Sequence, residues 1–301
     1  MKLQDIINSK PATGFALFIG KIVPSKLGYS VARFAASQVS RNKDSSQYQA
    51  VRANQWVVHG GRLKPNELDE ITLKTIENTA KDLYDYYHTL HKVEELRRMV
   101  EFSPEFEEIL AQSMEGKKGR LLVAPHLSNF DLVMRCAALR GWHPQGLSYP
   151  EPPGGYQWQN DLRREAGLII TPISVTSMRE AIERLKSGGT VFTGVDRPLP
   201  GAKYHPLFFG RPASLSDFYI RLALKVGLPI TVLAAGLLPN KKYTIRASKP
   251  ISMKKFEDKD VEIIRNLEAV LEVTADFIAQ TPQHWSMYYP VWPEALTQMP
   301  D

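Results

Sequence analysis

A single cysteine, Cys136, occurs among the 301 residues of this chain. That excludes an internal disulfide, and no Cys/His cluster has the spacing of a zinc site. A reducing compartment is therefore expected, with neither a metal nor an organic cofactor implied. Also missing is any run of about eighteen uncharged apolar residues, the least that crosses a bilayer as a helix. The first residues lack the basic start, long apolar stretch and small-residue cleavage site of an export signal, so none is expected. No G-x-S-x-G elbow is present, which argues against a serine hydrolase. His88 and His91 precede Glu94 and Glu95, but no third histidine at matching spacing completes a metal face, so a solvated helix is expected there. Internal repeats and low-complexity tracts are absent too. With 43% hydrophobic residues the chain has ample material for a core.

Charge is present but unevenly placed. Residues 1–43 hold Lys2, Lys10, Lys21, Lys26, Arg33, Arg41 and Lys43 against Asp5 alone, which accounts for the whole net charge of +6. Between these charges the segment is apolar: Phe15, Leu17, Phe18, Ile19, Ile22, Val23, then Leu27, Tyr29, Val31 and Phe34. Such a stretch is too short to span a membrane but suits its surface, where anionic lipid attracts each basic residue by about 1 kcal/mol. The competing reading is a helical hairpin packed on the domain with its lysines solvated. The basic residues are interleaved with aliphatic ones rather than set beside base-stacking aromatics, which argues against nucleic acid. The expected division is a basic amphipathic segment, 1–43, followed by one α/β domain, 44–301.

Periodicity predicts helices over 65–90 and from Ser103-Pro104-Glu105 to about Gly116, a helical layer ahead of the first clear strand. From there strands and helices alternate. Strands are predicted at 120–124, 145–149, 168–170, 190–195, 230–235 and 243–247, with helices at 129–139, 156–166, 178–186, 216–226 and 261–278. Alternation of this kind implies a mostly parallel sheet with helices on both faces. The short polar turn Asn240-Lys241-Lys242 makes the last strand pair antiparallel.

Ligands and chemistry collect at the carboxyl ends of parallel strands. The run Leu121-Leu122-Val123-Ala124-Pro125 delivers His126 to such an end, and Asp131 follows five residues later where a helix begins. A histidine steadied by a carboxylate is the simplest general base near neutral pH. Another strand runs into Asp196-Arg197-Pro198, placing Arg197 to grip a phosphate or carboxylate, or else to form a surface pair with Asp196. Phe208 and Phe209 precede a further helix and fit either a core or an apolar wall for a lipid chain. Arg163-Arg164 fits either an anionic head group or an exposed helix face. Trp285, Tyr288, Tyr289 and Trp292 form an aromatic cluster expected in the core or at a membrane edge.

These residues carry a resemblance. His126-Leu127-Ser128-Asn129-Phe130-Asp131 resembles the H-x-G-N-x-E/D block of the lipid A biosynthesis (lauroyl) acyltransferase family, which includes phosphatidylinositol mannoside acyltransferases and belongs to the glycerolipid acyltransferases with an H-x4-D/E signature. Val51-Arg52-Ala53-Asn54 is similar to the family's V-R-x-N segment, and Val195-Asp196-Arg197 to its D-R/D-Q block. Phe208-Phe209-Gly210-Arg211-Pro212-Ala213 resembles F-F-G-x-x-A, Gly227-Leu228-Pro229-Ile230 its G-x-P-[IV] segment, and Pro282-Gln283-His284-Trp285 its P-E-Q-W. The likeness runs over roughly 12–292. Positions that depart from it include Ser128, where the family usually has glycine, Leu207, where some members carry a glutamate that helps position the histidine, and Gln283, where glutamate is more usual.

The resemblance implies a glycerol-3-phosphate acyltransferase-like fold and acyl transfer from a thioester, on acyl carrier protein or coenzyme A, to a hydroxyl of a glycolipid or phospholipid. It implies catalytic His126 and Asp131, and substrate contacts from Ser128, Asn129, Arg164, Asp196, Arg197, Phe208, Phe209 and Arg211. Main-chain N–H groups after Ser128 are expected to face the oxyanion. A peripheral position on the cytoplasmic face of a bacterial inner membrane would follow. The alternative is a non-catalytic lipid-binding protein that keeps the fold.

Overall fold

The computed structural model describes residues 20, 22–149 and 154–300. Most of the apolar and basic pattern read in the first twenty-one residues, Lys2, Lys10, Phe15 to Ile19 and Lys21 included, lies outside them.

Among the described residues, five helices precede the sheet: α1 (Ser25–Arg41), α2 (Ser46–Val58), α3 (Pro65–Thr89), α4 (Val93–Met99) and α5 (Pro104–Glu115). The starts of α3 and α5 follow from sequence, each with proline in its first turn, and Ser103 accepts the Phe106 N–H as cap of α5. Next come β1 (Arg120–Ala124), α6 (Phe130–Ala138), β2 (Gln145–Ser148), α7 (Gly154–Glu165), β3 (Ile169–Pro172), α8 (Val175–Lys186) and β4 (Thr190–Gly194). The pair β5 (Leu207–Phe208) and β6 (Arg211–Pro212) forms a small hairpin of its own. The chain closes with α9 (Phe218–Val226), β7 (Ile230–Leu237), β8 (Tyr243–Ala247), α10 (Lys259–Gln280) and the short α11 (Ala295–Gln298).

The main sheet has the order β3-β2-β4-β1-β7-β8. All neighbours are parallel except the β7–β8 pair, as its polar turn requires. Strand alternation sorts the core into two layers. Leu122, Ala124, Phe192, Leu233 and Ile245 face α5, α6 and α7, meeting Phe106, Leu132, Val133 and Leu162. Leu121, Val123, Val191, Ile230 and Val232 face α8, α9 and α10, meeting Leu185, Tyr219, Ile220 and Leu267. The turn after α8 needs glycine: at Gly188 (φ +89°) a Cβ would overlap the carbonyl of Gly116.

Helix α1 packs on α3 by its small face, Gly28, Ala32 and Ala36. A buried polar knot ties the two to the sheet. The Tyr29 hydroxyl donates to Asp85 (2.9 Å), while Tyr243 lies 2.6 Å from Asp85 and 2.9 Å from Asp82. One phenol has one proton, so it donates to Asp85 and a protonated Asp82 donates to it. Consistently, burial pushes Asp82 up to about 8, against its bond with Tyr243, and the Asp85 charge adds to the rise. The folded chain thus holds a proton that the unfolded chain, with Asp82 at its ordinary 3.8, has lost. Stability from this site is full below about pH 4 and declines as the pH rises toward 8. Asp82→Asn, neutral throughout, narrows the fall in melting temperature between pH 5 and pH 8 by about 2 °C or more for each kcal/mol recovered, read by thermal denaturation at both pH values. An unchanged fall would mean that Asp82 is ionised in the fold.

Candidate active site

Ala124 of β1 and Gly194 of β4 are register partners on adjacent parallel strands, and the Val195 N–H extends the ladder to the Ala124 carbonyl (3.2 Å). Two residues past each partner stand His126 and Asp196, so the register itself brings them abreast. The imidazole Nδ1–H donates to Asp196 Oδ1 (2.6 Å), and the His126 main-chain N–H donates to Oδ2 (2.7 Å). Trp285 Nε1–H adds a third donor, 2.7 Å from Oδ2. Asp196 is fully buried. Burial alone would raise its carboxyl, but the adjacent His126 and the bonds from His126 and Trp285 outweigh that and hold it below the ordinary range. The His126 ring is 38% exposed, and Nε2 has no hydrogen-bond partner among the described residues. A Cβ on Gly194 would sit 3.3 Å from His126 Cε1, so glycine at the end of β4 keeps the ring unobstructed.

The histidine loop is gripped from the C-terminal side. Ser286 N–H donates to the His126 carbonyl and Ser128 N–H to the His284 carbonyl, both at 2.8 Å, with Leu127 and Trp285 bridged between them. Ser128 has φ +50°, a left-handed conformation in which glycine is easy and serine costs about 1 kcal/mol. Its hydroxyl is buried and has no partner among the described residues. Serine is therefore tolerated here at a local cost, and it contacts no open surface.

Several expectations need correction. Asp131 does not orient His126: both its oxygens are held by Arg163, Nε at 2.7 Å and Nη2 at 2.9 Å. Asp131 lies in the first turn of α6 and turns toward α7, whose guanidinium offers two donors, while Nδ1 of His126 is already committed to Asp196. Asp196, expected to touch substrate, is sealed behind the imidazole. Asn129 is a helix cap, accepting the Leu132 N–H and donating to the Asp82 carbonyl (2.8 Å), and is buried. Of the main-chain N–H groups around the start of α6, those of Ser128, Phe130 and Leu132 are engaged within the protein and are not available to an oxyanion.

The arginines and aromatics also redistribute. Arg164 is exposed and clamps Asp161 and the Ile170 carbonyl, so Arg163 is the member of that pair turned inward. Arg197 makes no surface pair with Asp196. Its guanidinium lies over the rings of Tyr149 (4.3 Å) and Tyr289 (4.5 Å), with Tyr156 at 5.4 Å. Phe208 is core, 1% exposed and stacked on Trp292 (5.5 Å), while Phe209 is half-buried beside it. Arg211 bonds Gln298 and covers Trp56, which fastens the C-terminal helix. Leu207 is 51% exposed, so no carboxylate approaches His126 from that position. His88 is not solvated but buried, its Nδ1 2.6 Å from the Gly20 carbonyl.

No group of three or more metal-ligating side chains occurs among the described residues. A cavity of about 290 Å³ lies away from His126, lined by Lys43, Tyr48, Arg52 and Asp69, whose polar atoms largely satisfy one another.

An exposed imidazole backed by a buried carboxylate is a general-base arrangement on a fold with helices on both faces of a mostly parallel sheet. No curated protein matches the chain. A family model described as bacterial lipid A biosynthesis acyltransferase matches residues 9–293, nearly the whole length. The chain belongs to the bacterial lipid A biosynthesis acyltransferase family and is an acyltransferase of lipid biosynthesis.

Proposed function

We propose that the protein moves a fatty acyl chain from a thioester, on acyl carrier protein or coenzyme A, to a hydroxyl of a glycolipid or phospholipid, with His126 as the general base. The observation that carries this reading is the His126–Asp196 contact, which commits Nδ1–H and leaves the Nε2 lone pair for the acceptor. Nε2 takes the hydroxyl proton as the oxygen attacks the thioester carbonyl. The tetrahedral adduct then collapses, the C–S bond breaks, and the leaving thiolate recovers the proton from the imidazolium. Asp196 stabilises the charged ring in between. General-base assistance of this kind contributes about 10²–10⁴ in rate.

Arg197 supplies the anion-binding part of the site. The guanidinium is held over the rings of Tyr149 and Tyr289, and its N–H groups would meet a phosphate of donor or acceptor. The experiment is to incubate the protein with isotope-labelled acyl thioesters and a mixed lipid extract, then identify the labelled product by mass spectrometry. A labelled lipid ester supports the reading, and thioester hydrolysis without any acylated lipid counts against it.

We further propose a peripheral location at the cytoplasmic face of the membrane, through α1 and the residues ahead of it. The outward side of α1 presents Leu27 (58% exposed), Val31 (36%) and Phe34 (65%) at helical spacing, and Ile22 (60%) precedes it. Lys26, Arg33 and Arg41 flank this stripe. No helix among the described residues is long and apolar enough to cross a membrane. Burying a leucine and a phenylalanine contributes about 1.5–3 kcal/mol each, so Leu27→Asp with Phe34→Asp lowers the fraction floating with anionic liposomes more than tenfold. Equal flotation of the variant and the native chain would remove α1 from the membrane contact.

A further inference from the structure

The geometry points to Trp285 as a positioning residue for the imidazole base: its indole N–H fixes the rotation of the Asp196 carboxylate so that Oδ1 faces His126 Nδ1. The inference rests on His126 acting as the base. A carboxylate at the end of a strand can swing about its own side-chain bonds, and a buried one with a single partner has little to hold its plane. Asp196 has three donors on two oxygens. Oδ2 takes the His126 main-chain N–H and the Trp285 indole N–H, both at 2.7 Å, which leaves Oδ1 for the ring.

The indole is itself immobilised. Trp285 is 1% exposed and meets Phe208 edge-on (88°) and Trp292 at 62°, with Phe209 beside it. Phe208, which the sequence offered as either core or a lipid-facing wall, is core and braces this indole. The backbone on either side of Trp285 also grips the histidine loop, through His284 to Ser128 and Ser286 to His126. One short segment therefore sets both the height of the His126 main chain and the angle of its carboxylate.

Packing alone does not explain the nitrogen. The neighbouring Trp292 is buried and its Nε1 has no partner among the described residues, so this aromatic cluster does not demand a hydrogen bond from every indole. At position 285 the N–H has a charged acceptor, and hydrogen bonds to charged groups are the stronger kind.

The test replaces the nitrogen and keeps the shape. Trp285→Phe, and a benzothienylalanine placed at 285 alone with sulfur in place of the ring N–H, are assayed in the native chain and in an Asp196→Asn background. The sulfur analogue preserves the packing should the phenylalanine variant fail to fold. In the native chain kcat falls about tenfold with KM within about twofold, because the loss is in base alignment and not in substrate binding. In the Asp196→Asn background the same changes alter kcat by less than about twofold, since the group through which Trp285 acts is gone. Full activity of the analogue, or an equal loss in both backgrounds, overturns the proposal. Failure of the underlying reading gives a different result, with His126→Ala itself remaining active.

Discussion

Asp196→Asn lowers acyl transfer by about 10⁴-fold while the protein stays folded. The amide has one acceptor oxygen where the carboxylate has two. Two N–H donors, from the His126 main chain and Trp285, converge on the Oδ2 side and claim that oxygen. The amide nitrogen then faces His126 Nδ1 as a donor and forces that nitrogen to accept. The proton moves to Nε2, and the lone pair that should take the acceptor proton disappears. Asp131→Asn makes a contrast. It leaves the tautomer alone but unpairs Arg163, whose side chain is 15% exposed, and so costs about 1–3 kcal/mol of stability. Initial rates of thioester consumption and thermal melts on both variants separate the two carboxylates. One is read in turnover, the other in melting temperature.

His126→Ala removes the base itself and reduces transfer about 10²–10⁴-fold. The melting temperature changes little, because the ring is partly exposed and gives up one hydrogen bond, although Asp196 keeps two other donors. Substrate binding persists, so the loss falls on kcat. Labelled lipid product from the variant at a rate within about threefold of the native protein is incompatible with His126 as base, since general-base help is worth more than that.

The strand end bearing His126 was legible in the sequence because a buried strand is an unbroken apolar run, and Leu121 to Ala124 is one. Its partner was not. Asp196 lies 70 positions away, and its approach depends on β4 lying beside β1 with Gly194 opposite Ala124, a fact of register rather than of spacing. The five-residue step to Asp131 offered a nearer carboxylate, but the first turn of α6 directs it to Arg163. Arg197 was recognisable as a candidate anion ligand. Its tyrosine setting was not, because Tyr149, Tyr156 and Tyr289 come from three separate segments.

Helix α2 escaped periodicity for a similar reason: its inward side sets Arg52, Asn54 and Gln55 among Tyr48, Ala50, Val51, Ala53 and Val57. Asn54 donates to the Met287 and Tyr289 carbonyls, and Gln55 to the Pro282 carbonyl. Its Arg52 is buried against Asp69. Asn54 and Gln55 hold the very segment that carries Trp285, and a polar residue turned inward looks like surface to any hydrophobicity pattern. The V-R-x-N likeness marked the place without explaining it.

The most direct test is the protonation pattern of one ring. Nitrogen-15 NMR of histidine-labelled protein, with the His126 signals identified by their loss in His126→Gln, reports which nitrogen carries the proton when the ring is neutral. A protonated Nδ1 and a bare Nε2, exchanging roles in Asp196→Asn and unchanged in Asp131→Asn, is the result required by an imidazole held by Asp196. A neutral ring protonated at Nε2 in the native protein, or one that responds to Asp131 and not to Asp196, contradicts it.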